Sequence, residues 1–323
     1  MGGLSRRTTY IKQLISKGTD PIIMDAGDLL FSLPVLNKED QEQEIFRASA
    51  IIKGYEKLNC DVINVGYHEF ASGFDQLKEL SRNTAIPFVS ANILNSNDDQ
   101  PVFMPYRIIE RGGINFGIIG LTDLVSDTIA GIILEDFSIS GNIYLSKIRK
   151  EVDISILLIN SDRSTYKNFP EIFPEADLIF TSGSVFMTMP MMDQEEDGPF
   201  VFSSGREGRY ISQVKINMVD DEESLINRSY YQAKIDYINK RLDRYRDKDP
   251  NIPFKKLYES QPEMLKIIES GKKDIERMEI ELKKNTNSIS FKNIAMDSSI
   301  TDDFNMSQYV ETILNRYDKL KME

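Results

Sequence analysis

Val62-Ile63-Asn64-Val65-Gly66-Tyr67-His68-Glu69-Phe70 runs an apolar strand into a glycine turn, and that turn holds the only histidine of the 323-residue chain. Two other stretches repeat the form: Ile22-Ile23-Met24-Asp25-Ala26-Gly27-Asp28, and Asp177-Leu178-Ile179-Phe180-Thr181-Ser182-Gly183-Ser184. Each is a strand of buried type that ends in small or polar residues. Side by side, such strand ends are where an α/β sheet presents its chemistry.

Working outward, the pattern predicts a helix over 8–17, a fully buried strand over 21–26, and an acidic-starting helix over 38–59. A strand over 61–65, a helix over 73–81 and a strand over 87–92 follow. Residues 106–110 pair with 114–121 across Arg111-Gly112-Gly113. Helix 143–152, strand 154–159, short helix 168–173 and strand 177–181 continue the alternation, and 200–203 with 210–219 read as a closing β pair. Alternating strands and helices predict a layered α/β domain over 1–219.

After Val219 the pattern changes. Tyr231, Ile235, Ile238, Leu242 and Tyr245 fall at steps of 4 and 3, and so do Met264, Ile268, Gly271, Ile275, Met278 and Leu282. Two heptad helices joined by one Pro-containing loop predict an antiparallel helical hairpin over 220–287. A strand over 288–294 and a final amphipathic helix over 303–320 make a third part, 288–323, that returns to the body.

Composition narrows the function classes. With 39 basic against 51 acidic residues, the chain lacks the charge balance of a duplex nucleic-acid binder. No apolar run reaches the roughly 18 residues of a membrane helix. Cys60 is the only cysteine, so neither an intrachain disulfide nor a cysteine zinc site can form. The first residues lack the apolar core of a signal peptide. Met187, Met189, Met191 and Met192 read as an adaptable packing or contact loop rather than a copper site. The glycines of 205–208 read as turns, without a nucleotide-loop fingerprint.

Several motifs occur in a family order. Gly2-Gly3-Leu4-Ser5-Arg6-Arg7 is similar to a Gly-Gly-x-x-Arg-Arg segment, and Met24-Asp25-Ala26-Gly27-Asp28 to an Asp-Ala-Gly-Asp motif. Gly66-Tyr67-His68-Glu69-Phe70 with Gly73 is similar to Gly-Asn-His-Glu-Phe-Asp-x-Gly. Further likenesses lie at 87–93, 117–122 and 205–210. Together they resemble the 5′-nucleotidase branch of the calcineurin-like metallophosphoesterases over 2–219. The resemblance implies a metallophosphoesterase-type α/β sandwich.

Active members of that family hold two metal ions that activate water and clamp a phosphoryl group. The resemblance implies that a first strand, carrying an Asp and a His ligand, would precede Met1. It makes Asp28 the bridging carboxylate and His68 the catalytic imidazole. Tyr67 stands where the pattern has a ligand Asn, Asn160 where it has a His, and Gly183 and Val185 where it has two more His. Glycine and valine side chains offer no lone pair to a metal. Asp25 matches no ligand and reads as structural.

The expectation is therefore a pseudoenzyme. His68 is a vestigial catalytic residue, Asp28 and Asn160 are vestigial metal positions, and Tyr67 fills the vacated pocket. No cofactor is expected; the alternative is one weakly bound divalent metal. A second reading keeps a metal-dependent phosphoesterase with an atypical or incomplete site. Expected partners are another protein or a second copy, met through the hairpin. The tail from Phe291 to Leu320 resembles that of metallophosphoesterase domains found beside multihaem cytochrome modules, which makes such a cytochrome a candidate partner. The chain has no Cys-x-x-Cys-His site, so a haem would belong to that partner. An extracytoplasmic or periplasmic location is implied by the resemblance alone.

Overall fold

The computed structural model describes residues 3–125, 129–184, 186–192, 194, 198–220, 223–246, 249 and 251–320. The chain forms two compact units. One comprises Met1–Thr188, Asp197–Ser212 and Ile294–Glu323; the other comprises Met189–Glu196 and Gln213–Asn293.

The larger unit is a mixed α/β fold. Its strands are β1 (Met24–Asp25), β2 (Val62–Asn64), β3 (Phe88–Val89), β4 (Ile93–Asn95), β5 (Tyr106–Arg111), β6 (Ile114–Thr122), β7 (Ile132–Leu134), β8 (Ile154–Asp162), β9 (Leu178–Ser184) and β10 (Phe200–Phe202). A parallel sheet has the order β1-β2-β3, a five-stranded sheet the order β10-β9-β8-β6-β5, and β4 pairs with β7. β8 is the central strand of the larger sheet and is buried from Ile154 to Ser161. Its parallel neighbours β6 and β9 explain the unbroken apolar run, because a strand covered on both faces does not alternate. β5 and β6 form the expected hairpin. Gly112 and Gly113 take φ of 62° and 82° there, which a two-residue turn with the right twist requires.

Helices α1 (Leu4–Ser16), α2 (Gln41–Lys57), α3 (Phe74–Arg82), α4 (Phe137–Ile148) and α5 (Phe169–Ile172) flank the sheets. α4 starts earlier than the apolar spacing suggested, because Asp136 caps it by accepting from the N–H groups of Ser138 and Ile139. The last helix, numbered below as α9, closes onto α1 and α2. Met306 packs with Ile11 and Leu58, and the Tyr309 hydroxyl donates to the Ala50 carbonyl at 2.7 Å. One apolar cluster gathers Leu30, Phe31, Ile63, Val65, Phe70 and Leu77; a second gathers Leu121, Leu157, Ile159, Phe169, Phe173 and Ile179.

In the smaller unit, β11 (Tyr210–Asn217), β12 (Ile226–Asn227) and β13 (Ser288–Ala295) form a sheet of order β11-β13-β12. β11 and β13 each run across the unit boundary. α6 (Arg228–Arg246) and α8 (Pro262–Lys283) pack together, with the single turn α7 (Phe254–Leu257) between them. α9 (Phe304–Leu320) then belongs to the larger unit.

Three expectations are corrected. The predicted closing pair does not form: β10 joins β9, whereas β11 joins β13, about seventy-five residues downstream in the register of the chain. The helix predicted from 220 begins at Arg228, because Ile226 and Asn227 first pair with β13. The strand at 21–26 is not fully buried. β1 is an edge strand, and positions 21–26 are half-buried despite their apolar sequence.

Candidate functional site

The ends of β1, β2, β6, β8 and β9 meet around the turn after β2. Gly66 sits at the crossing because nothing larger fits: a Cβ there would stand 2.7 Å from Asp28 Oδ1 and 2.9 Å from the Asn160 amide carbon. Asp28 itself takes the left-handed conformation, with φ 59°. Its Oδ1 accepts the His68 N–H at 2.9 Å. This places the Asp28 carboxylate over the first turn of the 3-10 segment His68–Ser72, where exposed N–H groups favour an anion.

Glu69 occupies the centre of the turn and is fully buried. Its Oε2 accepts the N–H groups of Asp28 at 2.9 Å and Gly66 at 2.8 Å. Its Oε1 accepts those of Leu29 at 2.7 Å and Leu30 at 3.0 Å. Successive N–H groups pointing inward form an anion cradle. Here the anion is the protein's own side chain. Burial, and then the neighbouring Asp28 charge, push the Glu69 carboxyl up to about 7, while the Leu30, Asp28 and Gly66 N–H groups pull it down. The sequence comparison placed Glu69 inside a motif but gave it no role. Its signal was its chemistry: a carboxylate three residues after the glycine that ends an apolar strand has the N–H groups of that turn within reach.

Asn160 joins three strand ends. Its Oδ1 accepts the Tyr67 N–H at 2.9 Å and the Thr122 hydroxyl at 3.3 Å. Its Nδ2 donates to Ser182 Oγ at 2.9 Å, and Ser182 in turn donates to the Ala26 carbonyl at 2.6 Å. Asn64 Nδ2 donates to the same Ala26 carbonyl and to that of Leu121, both at 2.9 Å. Asn160 and Asn64 are wholly buried, so each of these bonds avoids the cost of an unmatched polar group; Asn64 Oδ1 is the exception, buried with no hydrogen-bond partner. Thr122, Ser182 and Asn64 were not singled out from sequence.

The remaining positions divide as follows. His68 is half-buried, and its Nδ1 lies 3.0 Å from the Phe31 carbonyl oxygen. That oxygen can only accept, so Nδ1 carries the hydrogen and Nε2 is the ring's acceptor in the neutral form. The Tyr67 ring packs on the Leu30–Phe31–Ile63 cluster, with its centroid 6.2 Å from that of His68. Gly183 takes φ 94°, and a Cβ there would meet the Ser161 carbonyl oxygen and Leu124 Cδ1, both at 2.6 Å. The position excludes any longer side chain. Val185 lies outside the described residues.

Beneath the site, Asp25 is locked. The Tyr55 hydroxyl donates to its Oδ2 at 3.0 Å and accepts from Arg7 Nη1. Burial raises the Asp25 carboxyl, and the Arg7 charge opposes this. Tyr55, and after burial's opposing effect Asp25, hold the Arg7 guanidinium charged. This triad ties α1, β1 and α2 together and agrees with the structural reading of Asp25.

Among the described residues, no group of three or more His, Cys, Asp or Glu could hold a metal ion. Both Glu69 oxygens and Asp28 Oδ1 face backbone N–H groups, and the Asn160 oxygen faces Tyr67 and Thr122. This donor set does not fit a dinuclear centre, whose ions need several unoccupied lone pairs converging within about 2.0–2.6 Å.

The fold is that of the calcineurin-like phosphoesterases and 5′-nucleotidases. A calcineurin-like phosphoesterase from Bacillus subtilis, YfkN, superposes with a TM-score of 0.64 over all of this chain and 91% of that one, at 15% identity. The 5′-nucleotidase precursor from Thermus thermophilus gives 0.64 over 98% of this chain and 53% of that one, at 15% identity. Among curated relatives, a 5′-nucleotidase of Vibrio cholerae is 25% identical over 178 residues, 51% of this chain and 31% of its own length. A snake venom 5′-nucleotidase of Crotalus adamanteus is 31% identical over 126 residues, 38% of this chain and 20% of its own. The chain thus spans about a fifth to a third of the length of the curated relatives it matches. No protein-family model matches it.

Proposed function

We propose that the chain is a pseudoenzyme: a phosphoesterase scaffold that works by contact and not by hydrolysis. The observation that supports this most is the orientation of Asn160. Its one oxygen is turned inward onto the Tyr67 N–H and the Thr122 hydroxyl. On this reading hydrogen bonds replace metal ions in holding the strand ends together. His68 is the remnant of a catalytic imidazole, Asp28 and Asn160 are remnant ligand positions, and Gly183 and Val185 are lost ones. Tyr67 fills space that a ligand would leave open.

The arm at 220–287 serves as the contact element, and 288–323 returns to the body. The partner is a second copy or another protein, with a multihaem cytochrome as the candidate from the tail resemblance. A location outside the cytoplasm draws on relatives such as a snake venom protein. The test is hydrolysis of an aryl phosphate and of nucleoside monophosphates with added Mn2+. The expected rate equals the uncatalysed background, in the native chain and in Asp28→Ala alike. Metal-dependent turnover that disappears in Asp28→Ala overturns the proposal and establishes an atypical phosphoesterase.

A further inference from the structure

α8 carries two stripes. The inner one faces α6: Ile268 and Met278 are buried, and a Cβ on Gly271 would stand 3.1 Å from Ile238 Cγ2. The outer one is Ile267, Ser270, Asp274, Arg277, Glu281 and, at the C-cap, Lys284. Its steps are 3, 4, 3, 4 and 3, the alternation of a helix-pairing seam written in exposed and half-exposed residues.

This outer stripe is complementary to itself when reversed. About a two-fold axis between positions 275 and 276, Asp274 meets the partner's Arg277, and Ser270 meets the partner's Glu281. Ile267, which is 39% exposed, meets the aliphatic stem of the partner's Lys284. No like charge meets like. Each contact occurs twice, as a closed two-fold interface requires. Among the described residues of one copy, these charges have weak local partners. Arg277 Nη2 lies 3.7 Å from Asp274 Oδ1, and Lys284 Nζ lies 2.8 Å from Glu281 Oε2. Such exposed pairs one turn apart add little and exchange readily for a partner's charge.

A groove of about 440 Å3 runs beside the stripe, walled by Ile267, Ser270 and Asp274 on α8 and by Ile238, Arg241 and Leu242 on α6. Arg241 Nε is held by the Tyr245 hydroxyl at 2.5 Å, and among the described residues no carboxylate pairs with this guanidinium. α6 runs antiparallel to α8, so Arg241 stands level with the first turns of the stripe, where the partner's Glu281 arrives.

We propose that this face joins two copies of the chain, α8 against the partner's α8 in antiparallel register, with Asp274 opposite the partner's Arg277. The proposal deepens the contact role given above and rests on that reading for its purpose. Its failure is distinguishable, because hydrolysis and self-association are measured separately. The test is analytical ultracentrifugation of the full chain over a concentration series from about 1 to about 100 μM. A reversible monomer–dimer equilibrium is expected. Arg277→Asp should weaken it at least about tenfold by setting two carboxylates face to face. The double reversal Asp274→Arg/Arg277→Asp should recover it to within about threefold, since the pair is restored in both copies. Far-UV circular dichroism should match across all three proteins, because these side chains lie on the outer face of α8. A monomer at every concentration overturns the proposal. So does a dimer indifferent to Arg277→Asp, or one that the double reversal leaves broken. A chain that assembles only with a different protein overturns it too.

Discussion

The strand-end cluster and the outer face of α8 are both rich in polar groups, but they use them in opposite ways. Around Glu69 and Asn160 the polar atoms already have partners inside the fold: four N–H groups on one carboxylate, and three bonds on one amide. On α8, Asp274 and Arg277 pair with each other at 3.7 Å and at the surface, and among the described residues neither has another ion pair. Buried groups lose water on folding and must be matched internally, so a satisfied cluster stabilises its own fold and has little left for a ligand. Exposed charges keep their water until a complementary surface displaces it. Polar residue counts alone do not separate these cases; the direction of each lone pair does.

The largest expected effect comes from breaking the satisfied cluster at its centre. Glu69→Ala leaves four N–H groups without an acceptor, those of Leu30 and Gly66 buried and those of Asp28 and Leu29 half-buried, and at about 1–3 kcal/mol for each buried one the loss is on the order of several kcal/mol. Urea unfolding should show a large fall in midpoint with an unchanged slope. Native-like stability in this variant would mean that water or a rearranged loop satisfies the cradle.

Asn160→Ala should cost less, on the order of 1–3 kcal/mol, since it removes the acceptor of the Tyr67 N–H and of the Thr122 hydroxyl and one Ser182 bond. Ser182→Ala should cost about 1 kcal/mol, and the double variant should lose less than the sum of the two, because the residues share one bond. Full additivity in that cycle would dissolve the idea of a connected relay.

Smaller than the Glu69→Ala loss is the effect expected with pH. The Glu69 carboxyl is raised to about 7 in the folded chain, against 4.5 for the free group. Between those values the folded state binds the proton that the unfolded state has released. The contribution of Glu69 to stability is therefore fully present below the unfolded value and is lost as pH rises through 7. Its size is on the order of 1–3 kcal/mol, and Glu69→Gln should flatten this part of the stability curve. A curve unchanged by that substitution would place the titrating group elsewhere.

Much of the fold was legible in sequence, and the reason is local. β8 reads as a buried strand because its neighbours bury both faces, and the β5–β6 hairpin because Gly112-Gly113 sets its turn. The pairing of β11 is not legible, because its partner β13 lies far along the chain and no local pattern encodes it. β4, β7 and β12 are two or three residues long, too short for periodicity to register. At the site, the residue types at 28, 67, 68, 160 and 183 were open to inspection, and with them the scarcity of imidazole donors. What each oxygen faces was not. The Asn160 oxygen accepts the Tyr67 N–H from 93 residues away, and the acceptor role of Glu69 depends on N–H groups 39 to 41 residues away.

The most direct measurement of the central claim is thermal unfolding of the native chain with excess Mn2+ and again with EDTA. A site that bound a metal at a hundred times its dissociation constant would gain about 2.7 kcal/mol and shift the midpoint by several degrees. A strand-end cluster held by its own hydrogen bonds predicts coincident curves. A metal-dependent rise that vanishes in Asp28→Ala would contradict the account.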